Sequence, residues 1–534
     1  MSDRKRLFCN ATVYTGDGTF CRAFSVEGDK ITGVWKDKPE VAGPDTEVID
    51  LGGSFVCAGF NDSHMHLLNY GKALEGADLT AHTGSLADLK DSLRRHLEEK
   101  GPGAGGWLLG RGWNQDYFSD TDRMPDRDDL DEVSDQVPIM ITRTCGHCCV
   151  LNTPALREAG ISADSEDPEG GRIGRRNGIP DGRLYENALE IPARVIPVPS
   201  LAEVKELLRN AAAKVNSYGI TSVQTDDYCV FAGLDPLTVN KAYRELIDSG
   251  ELTVRVHEQC NLGGAAELRS FIERGGTGGR EDSFFSTGTV KILGDGSLGS
   301  RTARLSVEYP GTDEKGILIF SDEEMREQIC IAAASGMNAV VHTIGDGCLD
   351  QVLDAFEYAR SRYPGDRRDG IVHCQVSRAD QLERIARLGL GVHAQSVFLD
   401  YDNHIVEELV PAEIAATSYS WKTLLDLGVN VSNGSDCPVE FPDVLKGIQC
   451  AVTRTSMDGT GPYLPEQAFT VREALDSFTS ASAYASSEED IKGRIAPGML
   501  ADFTVLDADP FTADPYSLSS IKVLSAWVGG KRVY

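Results

Sequence analysis

Three textures of hydrophobic and polar positions follow one another along the chain, and each predicts a different kind of structure. Residues 5–57 alternate short β-rich runs (7–14, 23–26, 31–35 and 47–51) with the turn signals Gly16-Asp17-Gly18, Glu27-Gly28-Asp29 and Gly52-Gly53. Runs of this length between such punctuation read as strands. The tail, 493–534, has the same texture, with Ala501-Asp502-Phe503-Thr504-Val505-Leu506 and the run 523–528 before Gly529-Gly530. Chain ends often lie close together, so 1–57 and 490–534 are expected to build one small β-sandwich domain, with 58–489 inserted into it.

The middle of the chain opens with Leu86, Leu89, Leu93 and Leu97, which recur at helical spacing before Gly101 and predict an amphipathic helix with its stop signal. Residues 102–200 are dense in Gly, Pro and Asp, so an inserted, loop-rich subdomain is expected at about 70–200, of the kind that often shapes a pocket. After Pro199 the rhythm becomes helix then buried strand. A helix over 201–217 leads to a strand at 220–224. The Ser321 to Glu324 capping box opens a helix that Gly336 stops before a strand at 338–342. Helices at 350–360, 378–388 and 421–427 lead in turn to strands at 371–374, 391–397 and 429–432. Strands alternating with helices argue for an α/β fold with a parallel sheet, and the number of units favours a closed (β/α)8 TIM-like barrel.

Composition narrows the picture without changing it. A chain of 534 residues that is 41% hydrophobic can bury a large core. Its formal charge of -30 repels phosphate backbones and anionic lipid, which argues against nucleic-acid and membrane partners and suits solubility. No basic-then-apolar leader and no run of about eighteen apolar residues is seen, so a cytoplasmic protein is expected. The 13 cysteines are odd in number and scattered, which suits reduced thiols better than a disulfide framework. A homo-oligomer is compatible with all of this.

Candidate chemistry begins where the run from Val56 enters Asp62-Ser63-His64-Met65-His66. Side chains two apart on a strand share a face, so His64 and His66 could grip one metal ion, although a lone His-x-His is as readily a surface pair. His342 and His373 each end an apolar run, the place where a barrel carries catalytic groups. Each alone reads more readily as a satisfied core histidine, whereas the four together make a ligand set. Lys291 lies among Val290, Ile292 and Leu293, where an unpaired ammonium is costly. It either snorkels, pairs with Asp295, or carries a carbamate that bridges metals. Asp436 could cap a helix near Pro438, or ligate a metal and serve as base for its water. Cys145-Gly146-His147-Cys148 could be half of a structural zinc site, but no second pair at finger spacing accompanies it.

Taken together, the motifs resemble the amidohydrolase superfamily, in the family-3 branch that includes N-substituted formamide deformylases. They are Ala58-Gly59-Phe60-Asn61-Asp62-Ser63-His64-Met65-His66, Gly110-Arg111-Gly112-Trp113-Asn114, Gly146-His147, Val290-Lys291-Ile292-Leu293-Gly294-Asp295-Gly296, Val341-His342, Val372-His373-Cys374, Gly434-Ser435-Asp436-Cys437-Pro438 and Gly493-Arg494-Ile495-Ala496-Pro497-Gly498. The resemblance implies a divalent metal, zinc first, as one or two ions held by His64, His66, a carboxylated Lys291, His342, His373 and Asp436. It implies catalytic roles for Asp436, His342 and Lys291, and a substrate pocket with Trp113, His147 and Asp295; His393 stands where the branch leads one to expect a smaller residue and is read as a further substrate contact. The implied reaction is hydrolysis of a non-peptide C–N bond, of amide, N-acyl or N-formyl type, through a metal-bound hydroxide. Two alternatives stand beside it: deamination of an aminated heterocycle on the same barrel, and a non-catalytic barrel that binds a small molecule. The chain departs from the branch where a His-Asp pair often follows Gly219-Ile220-Thr221-Ser222-Val223. Here Gln224-Thr225-Asp226 follows, which leaves the role of that position open.

Overall fold

The computed structural model describes residues 5–37, 46–80, 84–115, 118–143, 148–168, 171–277, 279–280 and 282–534. They fall into two compact units, one of Met1–Leu67, Ala212–Cys229 and Tyr243–Tyr534, the other of Leu68–Ala211 and Val230–Ala242.

The first unit is built on eight parallel strands that neighbour one another in chain order: β1 (Phe60–Met65), β2 (Ile220–Thr225), β3 (Arg255–Asn261), β4 (Phe285–Leu293), β5 (Asn338–Thr343), β6 (Gly370–His373), β7 (Gly391–Ala394) and β8 (Val431–Asn433). Between them run the helices that make the chain α/β, among them Asp322–Ala334, Asp346–Arg362, Ala379–Leu388 and Trp421–Asp426. The Ser321 box forms as the sequence predicts, with Ser321 and Glu324 satisfying each other's backbone.

Ladders join every neighbour from β1 to β8, and the barrel closes across the β8–β1 seam through discrete bonds instead. The Asp436 N–H donates to the His64 carbonyl at 2.9 Å and the His66 N–H to the Cys437 carbonyl at 2.8 Å. The buried Asp62 carboxylate accepts from the Ser435 amide at 3.1 Å and the Ser435 hydroxyl at 2.5 Å. A Cβ on Gly434 would lie 2.6 Å from the His64 nitrogen, so only glycine permits this approach. The seam is therefore closed by the backbone of the residues that carry His64, His66 and Asp436.

Strand β3 is absent from the expectations set by the sequence, and the reason is physical. Its buried side chains include Arg255, His257, Glu258 and Gln259, so no apolar run marks it. Distant side chains pair two of them: the Arg255 guanidinium donates to both oxygens of Asp502, just before the strand Phe503–Leu506, at 2.6 and 2.9 Å, and His257 sits 2.8 Å from the hydroxyls of Ser286 and Thr289. Strand β7 is shorter than expected because Ser396–Phe398 turns as a 3-10 helix.

Both chain ends meet in one eight-stranded sheet, in the order Lys531–Arg532, Val523–Val528, Phe503–Leu506, Phe55–Ala58, Lys5–Tyr14, Phe20–Glu27 and Lys30–Trp35, with Thr46–Asp50 also paired to Lys5–Tyr14. Phe8 centres its core, 4.9 Å from the rings of both Phe24 and Phe503, the first stacked and the second edge-on. Such pairs add about 1 kcal/mol each to area burial.

The second unit holds a six-stranded sheet: Gly171–Arg176, Ile179–Glu186, Cys148–Leu151, Ile139–Arg143, Leu108–Trp113 and Ala77–Asp78. The Gly- and Pro-rich tract thus carries short strands between its turns, where loops were expected. Helix Leu86–Lys100, capped by Ser85, buries Leu89 and Leu93 against this sheet's Ile139, Ile141 and Val150. All described cysteines are free. Among the described residues no helix is long and apolar enough to cross a membrane.

Candidate metal centre

Strand ends bring the site together within the first unit. His64 lies in β1 and His66 just past it, Asp226 just past β2, Lys291 in β4, His342 in β5, His373 at the end of β6, and Asp436 shortly after β8. Ligand atoms of His64, His66 and Asp226 all lie within 4.8 Å of one another. His66 Nδ1 is hydrogen-bonded to Asp226, and its Nε2 stands 2.8 Å from Asp436 Oδ1. His64 Nε2 is 3.4 Å from the same Asp436 oxygen and 3.2 Å from Lys291 Nζ, which is 3.5 Å from Asp226 Oδ2. On the facing wall His373 Nε2 lies 2.9 Å from His342 Nδ1, and His342 Nε2 lies 3.0 Å from the Gly296 carbonyl. The rings of His64 and His373 are 5.9 Å apart, which links the two walls. His373 at φ 74° and Asp436 at φ 57° hold left-handed backbone, a strain of order 1–3 kcal/mol that recurs at functional sites.

Burial sets the electrostatics, and neighbouring charge then divides the walls. Burial would raise the Asp226 and Asp436 carboxyls, yet both are held well below the usual range, Asp226 by His66 and Lys291, Asp436 by His64 and His66. Burial would lower His66, but Asp226 and Asp436 more than reverse this and raise it well above the ordinary value. His342 is pulled down to about 4 by burial and then by Lys291, and His373 falls well below its ordinary value through burial and His342.

A family model described as an amidohydrolase family matches residues 47–534. The chain belongs to the amidohydrolase family. The Bacillus subtilis (strain 168) protein YtcJ, named an amidohydrolase, is 32% identical over 545 residues that cover 99% of each chain. An N-substituted formamide deformylase from Arthrobacter pascens is 28% identical over 553 residues, covering 99% of this chain and 98% of its own. The crystal structure of an uncharacterized metal-dependent hydrolase from Pyrococcus furiosus matches with a TM-score of 0.79 at 29% identity, over 95% of this chain and 100% of that one. This amidohydrolase is a metal-dependent hydrolase on a nearly closed parallel barrel.

The donor set fits a divalent cation. Two ionised carboxylates and four imidazoles converge, with Asp226, Asp436, His64 and His373 buried and His66 and His342 partly buried, and buried carboxylates demand positive charge. The Lys291 ammonium and a protonated His66 supply that charge among the side chains. A divalent ion would supply the same charge and let His66 act as a neutral nitrogen ligand, and imidazole with carboxylate suits zinc-like ions.

The remaining residues singled out in this amidohydrolase's sequence fall as follows. Lys291 is paired with Asp226, not with Asp295, because Asp295 is already occupied: its carboxylate accepts from the backbone amides of Ile344, Gly345 and Arg304 at 3.0, 2.8 and 2.8 Å. Burial pushes Asp295 up to about 7, and its Oδ1 stands 3.6 Å from His342 Nε2. Asp436 caps no helix, since residues 436–439 form a turn and the next helix, Val444–Thr453, is capped by Asp443. His393 is buried, with Nδ1 3.1 Å from the Ser63 carbonyl. Trp113 is fully buried in the core of the second unit. Cys145, Gly146 and His147 lie outside the described residues. Asp226 is the residue that sequence reasoning undervalued. It directly follows the strand Ile220–Thr225, so its strand-end place was a signal, although that strand is mostly polar and no apolar run pointed to it. Gln259, Gln395 and Phe398, whose ring stacks 5.9 Å from that of His373, carried no comparable signal.

Proposed function

We propose that this amidohydrolase cleaves a non-peptide C–N bond, an amide of N-acyl or N-formyl type, in a small uncharged or cationic molecule. The observation that carries the reading is the buried convergence of His64, His66 and Asp226 with the ionised Asp436 beside them. His64, His66, Lys291, His342, His373 and Asp436 would hold one or two ions, with zinc the first choice. When bound, the ion polarises a carbonyl oxygen and lowers the pKa of water. Asp436, kept ionised within 2.8 Å of His66 Nε2, accepts the proton of the attacking water and returns it to the departing amine nitrogen. Phe398, half-buried and stacked on His373, offers an apolar wall to the part of the substrate beyond the scissile bond. Lys291 is the residue that would carry a carbamate. Its neutral Nζ would add to carbon dioxide with loss of one proton, turning a cation into an anion with two oxygens.

A hydrolysis screen across N-acyl, N-formyl, cyclic amide and urea-type compounds, with zinc, manganese and iron each supplied, tests the reading. Paired release of a carboxylic acid and an amine is expected, lost on chelation and restored by metal. Ammonia from aminated heterocycles, with no acid product, would move the assignment to a deaminase. Stoichiometric metal with no turnover anywhere would leave a binding barrel. Carbon-13 bicarbonate should label a carbamate carbon in the native protein and not in Lys291→Arg; equal spectra would remove the modification.

A further inference from the structure

Two glutamines stand behind two of the site histidines in the same way, although they come from different strands. Gln259 of β3 places Oε1 2.8 Å from His64 Nδ1, and Gln395, just past β7, places Oε1 2.6 Å from His373 Nδ1. Each amide is anchored so that its oxygen faces the ring. The Gln395 NH2 donates to the His393 carbonyl at 2.9 Å. The Gln259 NH2 donates to the Ser63 carbonyl at 3.2 Å and faces Gln224 Oε1 at 3.5 Å, while the Gln224 NH2 donates onward to the Ser482 carbonyl at 2.8 Å. Turning either glutamine amide over would set oxygen against carbonyl oxygen and NH2 against the ring. All of these side chains are buried, so water cannot repair such a mismatch.

We propose that Gln259 and Gln395 are positioning residues that fix His64 and His373 in the Nδ1–H tautomer, so that both rings present Nε2 lone pairs to the metal. The inference rests on the reading of His64 and His373 as ligands. Its consequence is visible on the second wall. His342 Nε2 faces the Gly296 carbonyl, a pure acceptor, so His342 directs its Nδ1 lone pair at the Nε2 lone pair of His373, 2.9 Å away. Two acceptors aimed at one another are reconciled by a cation they share, and Gln395 is what keeps the His373 proton off that side. Partners of this kind commonly alter metal affinity tenfold to a hundredfold.

The test reads tautomer and metal affinity, not turnover. Long-range proton–nitrogen correlation on the histidine-labelled, metal-free protein should show His64 and His373 as Nδ1–H, each assigned by the signal lost in its own His→Gln variant. Gln259→Leu and Gln395→Leu keep the side-chain volume and remove the acceptor. Each should lose the Nδ1–H signature at its own histidine and weaken zinc binding, measured against a competing chelator, by tenfold or more. Gln259→Glu and Gln395→Glu keep an acceptor and should keep the signature, with affinity within about threefold of native. Leucine variants that retain both signature and affinity would overturn the proposal. An Nε2–H form of either ring in the native protein would overturn it as well, and that measurement needs no variant to fold. Failure of the substrate screen with these shifts intact would sink the proposed reaction and leave this inference standing.

Discussion

The two walls of the site use the same side chain for opposite electrical purposes. On the β1, β2 and β4 side, His66 is raised and sits between Asp226 and Asp436, with Lys291 beside them, so charge is balanced by charge. On the β5 and β6 side, His342 and His373 are pushed down and rest on neutral acceptors, the Gly296 carbonyl and Gln395. The difference shows what decides a buried imidazole's state: burial pulls every ring down, and two flanking carboxylates reverse it at His66, whereas Asp436 alone does not at His64, which burial and Lys291 hold below its ordinary value. Removing a member of the first wall leaves orphaned charge. Removing a member of the second leaves only lost contacts.

The largest expected effect is on catalysis at the charged wall. Asp436→Asn keeps the shape and removes the base, so turnover should fall by about a thousandfold, within the range for a lost general acid–base group, while KM moves only a few-fold. Steady-state kinetics on the best substrate of the screen decides it, and unchanged turnover would reduce Asp436 to a ligand. Stability of the metal-free protein comes next. Asp226→Asn strips the buried anion from His66 and Lys291 and should cost roughly 3–5 kcal/mol, as breaking one side of a buried pair does. His373→Gln leaves no orphaned charge and should cost roughly 1–2 kcal/mol. Denaturant unfolding of the two variants side by side compares the walls, and equal losses would void the distinction.

How far the sequence shows all this depends on what each residue answers to. His342 and His373 end apolar runs, so a periodic pattern points straight at them, and the barrel follows from the alternation that contains those runs. Asp226 follows a strand too, but a mostly polar one, and while its strand-end place is a local cue, its importance comes from neighbours 160 and 65 positions away, His66 and Lys291, which no local pattern carries. Strand β3 was hidden for a related reason: its polar side chains are paid for by distant partners such as Asp502. A carbamate on Lys291, pocket roles for Asp295, His393 and Trp113, and the choice of reacting bond would each depend on chemistry that neither periodicity nor backbone geometry encodes.

The smallest effect separates the walls by the sign of their pH dependence, again in the metal-free protein. Unfolded, a histidine titrates near 6.5. His342 titrates at about 4 when folded, because burial and then Lys291 oppose its imidazolium. Between those values the unfolded chain binds the proton first. The stability due to neutral His342 is therefore complete above about pH 6.5 and is lost as pH falls toward 4, by on the order of 3 kcal/mol. His66 runs the other way. Its folded value is raised well above 6.5, so its contribution is complete below that pH and is lost as pH rises through the raised value. Thermal unfolding followed across pH should show His342→Gln flattening the acid limb alone and His66→Gln flattening the alkaline limb alone. If both substitutions flatten the same limb, the two walls carry the same charge and the carboxylates beside His66 do not hold its proton.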